Sequence, residues 1–297
     1  MIGASLPSVT IARPAARGNI RRMTGWCFHC SILALVFRIM IYGKTTDEAA
    51  DGAATVEVNA RNYILAGYVG AAPVRGYYLE GNEANDTGEP QGFFVHQPPD
   101  AVTEPHFHET NQFQVFVGGS GTFGKHDVQP LTVQYANGHS PYGPIVAGPD
   151  GIDYFTLRAR WDPGAKYMPG SRDKLIKGNQ RQRLVPGIPR SSPEDLARRF
   201  GAEFEIVLDA EGDGLVAYMA RFGPDASACV PVATNSGGQY WVVTGGTMTL
   251  NDKSYGHLSC LFVTSDESPT IIGAGAEGME MLVLQFPERN LVGMAAE

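Results

Sequence analysis

The sequence predicts an all-β protein made of two similar halves, and three observations carry this prediction. Glycine accounts for 36 of the 297 residues and proline for 20, a composition that favours turns and short strands over long helices. Short runs rich in Val, Phe, Tyr and Thr recur about every ten residues, which is typical of a β-sandwich or β-barrel. Finally, residues 112–151 align without a gap to residues 239–278, with ten of forty positions identical.

The repeat shows which elements each half contains. The run QFQVFVGG at Gln112–Gly119 corresponds to QYWVVTGG at Gln239–Gly246, and each copy ends in an apolar strand, at Ile152–Leu157 and Met279–Leu284. Because a fixed offset of this kind indicates an internal repeat, we infer a duplication. The strands predicted for the first copy are Tyr77–Leu79, Gly92–His96, Phe113–Val117, Leu131–Tyr135 and Tyr154–Leu157.

Four segments follow from this organisation: a basic leader outside the fold (1–54), an N-terminal barrel (55–160), a connector (161–202) and a C-terminal barrel (203–297). In the connector, Ser191 to Arg199 reads as one short helix, because serine caps it, proline occupies its first turn and acids follow.

The leader contains six basic residues and no acid in its first 46 positions. Four interpretations stay open: a transit-like peptide, a weak secretion signal, a membrane-surface tether, or an extension upstream of the true start. We expect its first 45 residues to add nothing to either barrel. Its Cys27 and Cys30 form a C-x-x-C that lacks the βαβ context of redox motifs and further zinc ligands nearby, so we interpret it as a chance pairing.

Composition also excludes several classes of function. The net charge of −8 gives no basic excess with which to bind nucleic acid. An apolar run in the leader, Cys30 to Phe37, is too short to span a bilayer. With four cysteines in this length, a disulfide scaffold is excluded and a reducing, cytoplasmic location is expected. The expected partner is a small molecule, and we also expect a homo-oligomer such as a dimer.

Five of the seven histidines lie between positions 96 and 139, and two of them are two residues apart. On a strand, His106 and His108 would point to the same face and converge inside a barrel. Two neighbouring imidazoles suit a borderline divalent metal.

The pattern of His106, His108, the amide Gln112 and then the glycine-rich Gly118–Gly121 resembles the first motif of the cupin superfamily, and Gly138–Gly148 stands in place of the second motif. The resemblance covers both copies and implies a bicupin: two tandem double-stranded β-helix (jelly-roll) barrels. It also implies one metal, held by three histidines and a glutamate. By position, the candidate ligands and catalytic groups are His106, His108, Gln112 in place of the glutamate, His139 or Tyr142 as the third ligand, Glu109 as a substitute carboxylate, and His126 at the barrel mouth.

The second copy lacks these candidates. At the offset of 127, His106 becomes Ala233, His108 becomes Asn235, His139 becomes Asp266 and Tyr142 becomes Pro269. We therefore expect the second barrel to be structural and without metal, and His257 to face solvent.

The resemblance implies a metal-dependent enzyme acting on a small organic substrate. With iron(II), which we favour, the expected reaction is that of a dioxygenase; with zinc, manganese or nickel it is that of a lyase or isomerase. A non-catalytic small-molecule-binding protein is the alternative. Arg158 would pair with a substrate carboxylate if it faces inward. The aromatic residues that suit an aromatic or apolar substrate, or an ordinary core, are Phe107, Phe113, Phe116, Tyr142 and Tyr154.

Overall fold

The two halves of the chain fold into two large antiparallel β-sheets. The computed structural model describes residues 41–73, 86, 88–178, 180–209, 212–231, 236–266 and 270–288. The leader's Cys27 and Cys30, the predicted strand Tyr77–Leu79, and Ala233, Asn235 and Pro269 lie outside these residues.

The elements up to the connector are β1 (Ile41–Lys44), α1 (Thr46–Ala50), β2 (Ala54–Val58), β3 (Arg61–Val69), β4 (Gln91–Gln97), β5 (Val102–Thr103), β6 (His106–Phe107), β7 (Gln112–Phe123), β8 (His126–Val128), β9 (Thr132–Ala136) and β10 (Ile145–Arg158). Those that follow are β11 (Lys166–Tyr167), a 3₁₀ helix (Arg172–Lys174), β12 (Gln182–Val185), α2 (Pro193–Arg198), β13 (Ala202–Leu208), β14 (Val216–Phe222), β15 (Ser227–Cys229), β16 (Gln239–Leu250), β17 (Lys253–Tyr255), β18 (Cys260–Val263) and β19 (Ile271–Gln285).

Apart from β1, the strands of each half belong to a sheet of their own. In the first, the described strands run in the order β12-β9-β7-β10-β4-β3-β2, with β5 on β10 and β8 on β7. In the second, the order is β1-β18-β16-β19-β14-β13, with β15 on β19 and β17 on β16. A separate two-stranded sheet joins β6 to β11. The predicted all-β class with two tandem barrels is confirmed.

The duplication is visible in the strands themselves. β7 and β16 each have 12 residues and occupy equivalent positions at the offset of 127. The repeated glycines explain part of the shared sequence. Gly119 has φ +66°, and a Cβ there would lie 2.2 Å from the carbonyl oxygen of Gly151; Gly246 has φ +62° and the same relation to Gly278, at 2.1 Å. Both copies therefore need glycine where the long strands bulge.

The two sheets share one apolar core through alternate side chains of their strands. In the first sheet, Phe113 and Val115 of β7 face this shared core, while Phe116 faces the interior of the N-terminal barrel. In the second sheet, Tyr240 and Val242 of β16 face the shared core. Because strand side chains alternate, the other face of each sheet forms the inside of its own barrel.

Two predicted segment boundaries change. Ile41–Lys44, placed in the leader, forms an edge strand of the second sheet and pairs with Cys260–Val263, and Lys44 donates a hydrogen bond to the Gly67 carbonyl at 2.9 Å. The expectation that the first 45 residues add nothing to either barrel is therefore wrong for residues 41–44. Likewise, β11 and β12 of the predicted connector pair with β6 and β9 of the N-terminal barrel.

The predicted connector helix is present as α2. The Ser192 side chain accepts a hydrogen bond from the backbone of Asp195, and the Asp195 side chain accepts one in return from the Ser192 backbone. This is a capping box, with Pro193 in the first turn. In the described part of the chain, no helix has both the length and the apolarity needed to cross a membrane.

We predict that a variant starting at Thr45 is less stable than one starting at Ile41. The shorter variant loses the pairing of four residues with β18 and the Lys44 hydrogen bond, at about 0.5–1.5 kcal/mol per hydrogen bond. Urea unfolding of both variants measures the difference. Equal midpoints and equal slopes would contradict the assignment of β1 to the fold.

Candidate functional site

His106 and His108 enter the N-terminal barrel from the short strand β6. One edge of this strand pairs with β11, where His106 lies opposite Tyr167, and the other edge exchanges two backbone hydrogen bonds between His106 and Tyr142 at 2.9 and 3.0 Å. Both imidazoles are buried, and their ring centroids lie 5.2 Å apart. The structure thus brings His106 and His108 together, as their spacing of two residues predicts.

Each imidazole is held through its Nδ1 atom. His106 donates from Nδ1 to the carbonyl of Glu104 at 2.7 Å, and His108 donates from Nδ1 to the carboxylate of Asp162 at 2.6 Å. These acceptors fix the tautomer of both neutral rings, with Nε2 as the unprotonated nitrogen. Metal-binding and catalytic histidines are commonly oriented in this way.

Asp162 is the functional candidate that the sequence did not reveal. Its side chain is fully buried, and besides His108 it accepts hydrogen bonds from Thr110 and from the backbone amides of Glu109, Thr110 and Gly164, at 2.9 to 3.2 Å. Burial alone would raise the pKa of this carboxyl, but His108, Arg158 and the hydrogen bonds hold it well below its usual range. Asp162 is therefore a fixed negative charge behind His108.

Arg158 lies against the ring of His108 and faces the interior of the barrel. Its Nη2 lies 3.0 Å from Nε2 and 3.2 Å from Nδ1 of His108. Its Nε donates to Gln112 Oε1 at 3.1 Å, and its Nη1 donates to Gln91 Oε1 in a short hydrogen bond. The side chain is 2% exposed. Asp162, His108 and Arg158 thus form a continuous buried chain of carboxylate, imidazole and guanidinium.

Gln112 and Tyr142 complete the inner face of the site. The Gln112 amide donates to the Tyr142 hydroxyl in a short hydrogen bond, and the Tyr142 ring packs 4.6 Å from the His106 ring. Burial raises the pKa of the Tyr142 phenol well above its ordinary value, which keeps it neutral. Both residues therefore stand beside the histidine pair, as their positions in the sequence predict.

Three other predicted site residues do not converge with this pair. His139 packs on Phe107 at 5.5 Å, on the face of β6 opposite to His106 and His108. His126, predicted at the barrel mouth, is the first residue of β8 and is exposed in the hairpin that β7 and β8 form. Glu109 points outward and forms an ion pair with Lys166 at 2.9 Å. Of the aromatic candidates, Phe116, Tyr142 and Tyr154 line the barrel interior.

The site keeps both histidines neutral. Burial, together with the neighbouring His108 and Arg158, lowers the pKa of His106 to about 3. Burial and the Arg158 charge lower the pKa of His108 to about 4, against the opposing effect of Asp162. At neutral pH the charged groups of the inner site are therefore Arg158 and Asp162, and the two imidazoles next to them are uncharged.

The donor set, as arranged, does not fit a tightly held divalent metal. The imidazole pair suits a metal, but the Gln112 oxygen accepts from Arg158, and a guanidinium nitrogen lies 3.0 Å from the His108 nitrogen that a metal would need. Within the described residues, no group of three or more His, Cys, Asp or Glu side chains is placed to hold a metal ion. A metal would fit here only with the Arg158 side chain displaced, because like charges at this distance repel strongly.

The second barrel shows what the fold alone requires at these positions. Gln239, the equivalent of Gln112, donates to Gln285 at 2.9 Å, and Gln285 stands at the position of Arg158. The glutamine is therefore shared, whereas the arginine is particular to the first barrel. His257 is exposed, as predicted. Tyr240 of the second barrel donates to the backbone carbonyl of Arg158 at 2.9 Å and so supports the strand that carries it.

We predict that the free energy of unfolding rises with pH between about 4 and 6.5. The folded pKa values of His106 and His108, about 3 and 4, lie below the unfolded value of about 6.5, so in this window unfolding takes up protons. Each histidine contributes up to about 1.4 kcal/mol per pH unit, which is lost as the pH falls. Denaturant unfolding at several pH values measures the slope.

His108→Asn, which introduces the residue found at the equivalent position of the second barrel, should reduce this slope. The matched control is His126→Asn, since His126 is exposed and should leave the slope unchanged. An unchanged slope in the His108 variant would show that His108 is protonated in the folded protein.

Comparison with known structures bears on the fold. An oxalate decarboxylase mutant from Bacillus subtilis aligns with a TM-score of 0.51 and 12% identity, covering 84% of this chain and 78% of that one. A candidate dioxygenase from Nostoc punctiforme aligns with a TM-score of 0.50 and 10% identity, covering 86% and 82%. No protein-family model and no curated protein sequence matches. These structures share the barrel that the histidine motif indicates, and the chain therefore has the cupin fold in two tandem copies.

Proposed function

We propose that the protein is an enzyme of the cupin fold that acts on a small organic carboxylate, bound at Arg158 inside the N-terminal barrel. The observation that carries this proposal is the environment of the Arg158 guanidinium. It is buried, and its hydrogen-bond acceptors are the neutral groups of His108, Gln112 and Gln91. No carboxylate among the described residues lies within ion-pair distance of it.

The energetics favour an anionic ligand at this position. A buried charge is costly unless a partner of opposite charge compensates it. Asp162 supplies part of that compensation, but across the imidazole of His108 rather than by direct contact. A carboxylate can form two parallel hydrogen bonds with a guanidinium, so a ligand of this class would replace neutral acceptors with a charged one.

His108 is placed to move a proton on such a ligand. Its Nδ1–H is held by Asp162, so Nε2 is the basic atom and lies beside the guanidinium. Asp162 stabilises the imidazolium that forms when Nε2 accepts a proton, as in other carboxylate–histidine pairs. In this role Arg158 binds the substrate, His108 accepts or donates the proton, and the buried barrel excludes water.

A second candidate is the metal-dependent reaction that the sequence predicts, a dioxygenase-type oxidation with iron(II), or a lyase or isomerase reaction with another divalent ion. The observation that favours it is the Nδ1 anchoring of both His106 and His108. A bound metal would supply Lewis-acid or oxygen chemistry. Proteins of this fold include a candidate dioxygenase and an oxalate decarboxylase, but the fold hosts many functions.

We predict that Arg158→Gln weakens carboxylate binding by at least about tenfold, since charged hydrogen bonds contribute about 1.5–3 kcal/mol. Butanoate and benzoate are the probes, and calorimetric titration gives their dissociation constants. The variant should fold, because glutamine occupies this position opposite glutamine in the second barrel. Arg158→Lys should retain part of the affinity. Equal binding by wild type and Arg158→Gln would overturn the proposal.

The metal candidate makes a separate prediction. Removing the guanidinium frees the Nε2 side of His108, so Arg158→Gln should bind Zn²⁺ or Fe²⁺ more tightly than the wild type, and adding His108→Asn should abolish the gain. Elemental analysis of protein from metal-replete cells and titration of the metal-free protein measure this. Stoichiometric metal in the wild type, lost on replacing His106 or His108, would favour the metal enzyme. Iron would point to oxygen chemistry and zinc away from it.

A further inference from the structure

Three polar side chains form a second layer inside the N-terminal barrel, next to the layer that contains Arg158. In the register of the sheet, Gln114 of β7 lies between Gln134 of β9 and Thr156 of β10. We call these three residues the polar layer. The layer with Gln112 and Arg158 is two residues further along the same strands, so the two layers are about 7 Å apart.

The side chains of the polar layer point into the barrel. Their sequence neighbours Phe113, Val115, Val133, Tyr135, Phe155 and Leu157 belong to the core shared by the two sheets. Since strand side chains alternate, Gln114, Gln134 and Thr156 face the opposite side, where Phe116 and Tyr154 line the barrel. All three are at most 2% exposed.

These side chains carry unused hydrogen-bonding capacity. Gln114 Oε1, both polar atoms of Gln134 and Thr156 Oγ1 have no hydrogen-bond partner in the part of the chain that the structure describes. Leaving a buried polar group without a partner costs about 1–3 kcal/mol, so native proteins rarely keep several together. Their clustering in one layer is what a site for a bound molecule with hydrogen-bond donors and acceptors would present.

The second barrel shows that the fold does not need polar groups here. The equivalents of Gln134, Gln114 and Thr156 are Leu261, Trp241 and Val283, which pair in the same register. All three are buried apolar residues in the core of the second barrel. Gln114 is also much smaller than Trp241, which fills the equivalent layer. The polar layer is thus particular to the barrel that carries Arg158.

We propose that the polar layer binds an uncharged hydroxyl or carbonyl group of the ligand, and that the ligand is therefore a hydroxy- or oxo-carboxylic acid. The layer contains no charged side chain, so it suits an uncharged group that both donates and accepts hydrogen bonds. The carboxylate of the same molecule would bind Arg158, about 7 Å away. This inference rests on the proposed function, because Arg158 supplies its anionic anchor.

The test compares two matched pairs of probes by calorimetric titration: butanoate with 4-hydroxybutanoate, and benzoate with 4-hydroxybenzoate. In the wild type, the hydroxylated member of at least one pair should bind at least about tenfold more tightly. Thr156→Val and Gln114→Met, which keep size but remove hydrogen-bonding groups, should abolish that preference and leave the affinity for the parent acid unchanged. Thr156→Ser should restore it.

The outcomes separate this inference from the proposed function. If both members of each pair bind with equal affinity and binding still depends on Arg158, the polar layer is not a ligand site. Ordered water would then complete its hydrogen bonds, and the carboxylate site at Arg158 would be unaffected. Binding of no probe to the wild type would contradict the carboxylate site, and the inference would fall with it. The melting temperatures of Thr156→Val and Gln114→Met should equal or exceed that of the wild type. A fall of several degrees would show that the protein itself satisfies these groups.

Discussion

The buried chain of Asp162, His108 and Arg158 is the interaction on which the rest of the site depends. Asp162 fixes the tautomer and position of His108, and the guanidinium of Arg158 lies against the same ring, 3.0 Å from Nε2 and 3.2 Å from Nδ1. Removing Asp162 would leave the imidazole and the guanidinium without their only nearby negative charge among the described residues. The carboxylate, the imidazole and the guanidinium thus contact one another in sequence, while hydrogen bonds from Thr110 and backbone amides hold Asp162 in place and the side chains of Gln112 and Gln91 hold Arg158.

The duplicated architecture separates the residues that both barrels share from those found in the first barrel alone. Both barrels keep the glutamine at the start of the long strand and the glycines at its bulge, because backbone geometry and strand packing need them. Only the first barrel has Arg158 and the polar layer, whereas the second fills the same positions with Gln285 and apolar side chains. The second barrel nevertheless supports the site, through the shared core and the hydrogen bond from Tyr240 to the strand of Arg158.

The features that depend on local sequence pattern can be predicted from the sequence. The offset of 127, the strand composition and the H-x-H spacing predict the duplication, the β class and the pairing of His106 with His108. The role of Asp162 could not be predicted from the sequence, because Asp162 lies in a loop of the predicted connector, far from His108 in sequence. No sequence periodicity indicates where the carboxylate of a loop residue will lie. His139 was favoured by its closeness to the second motif, but its backbone turns it onto Phe107. The edge strand Ile41–Lys44 was missed because its partner lies more than 200 residues away.

The protonation of His108 tests the central claim most directly. Side-chain ¹⁵N spectra at pH 5.5, assigned by comparison with His106→Asn and His108→Asn, report the state of each ring nitrogen. The buried carboxylate–imidazole–guanidinium chain predicts a neutral His108 with a protonated Nδ1 and an unprotonated Nε2, because its pKa is lowered to about 4. An imidazolium at this pH would show that burial and Arg158 do not keep His108 neutral, and a neutral ring protonated at Nε2 would show that Asp162 does not fix its tautomer.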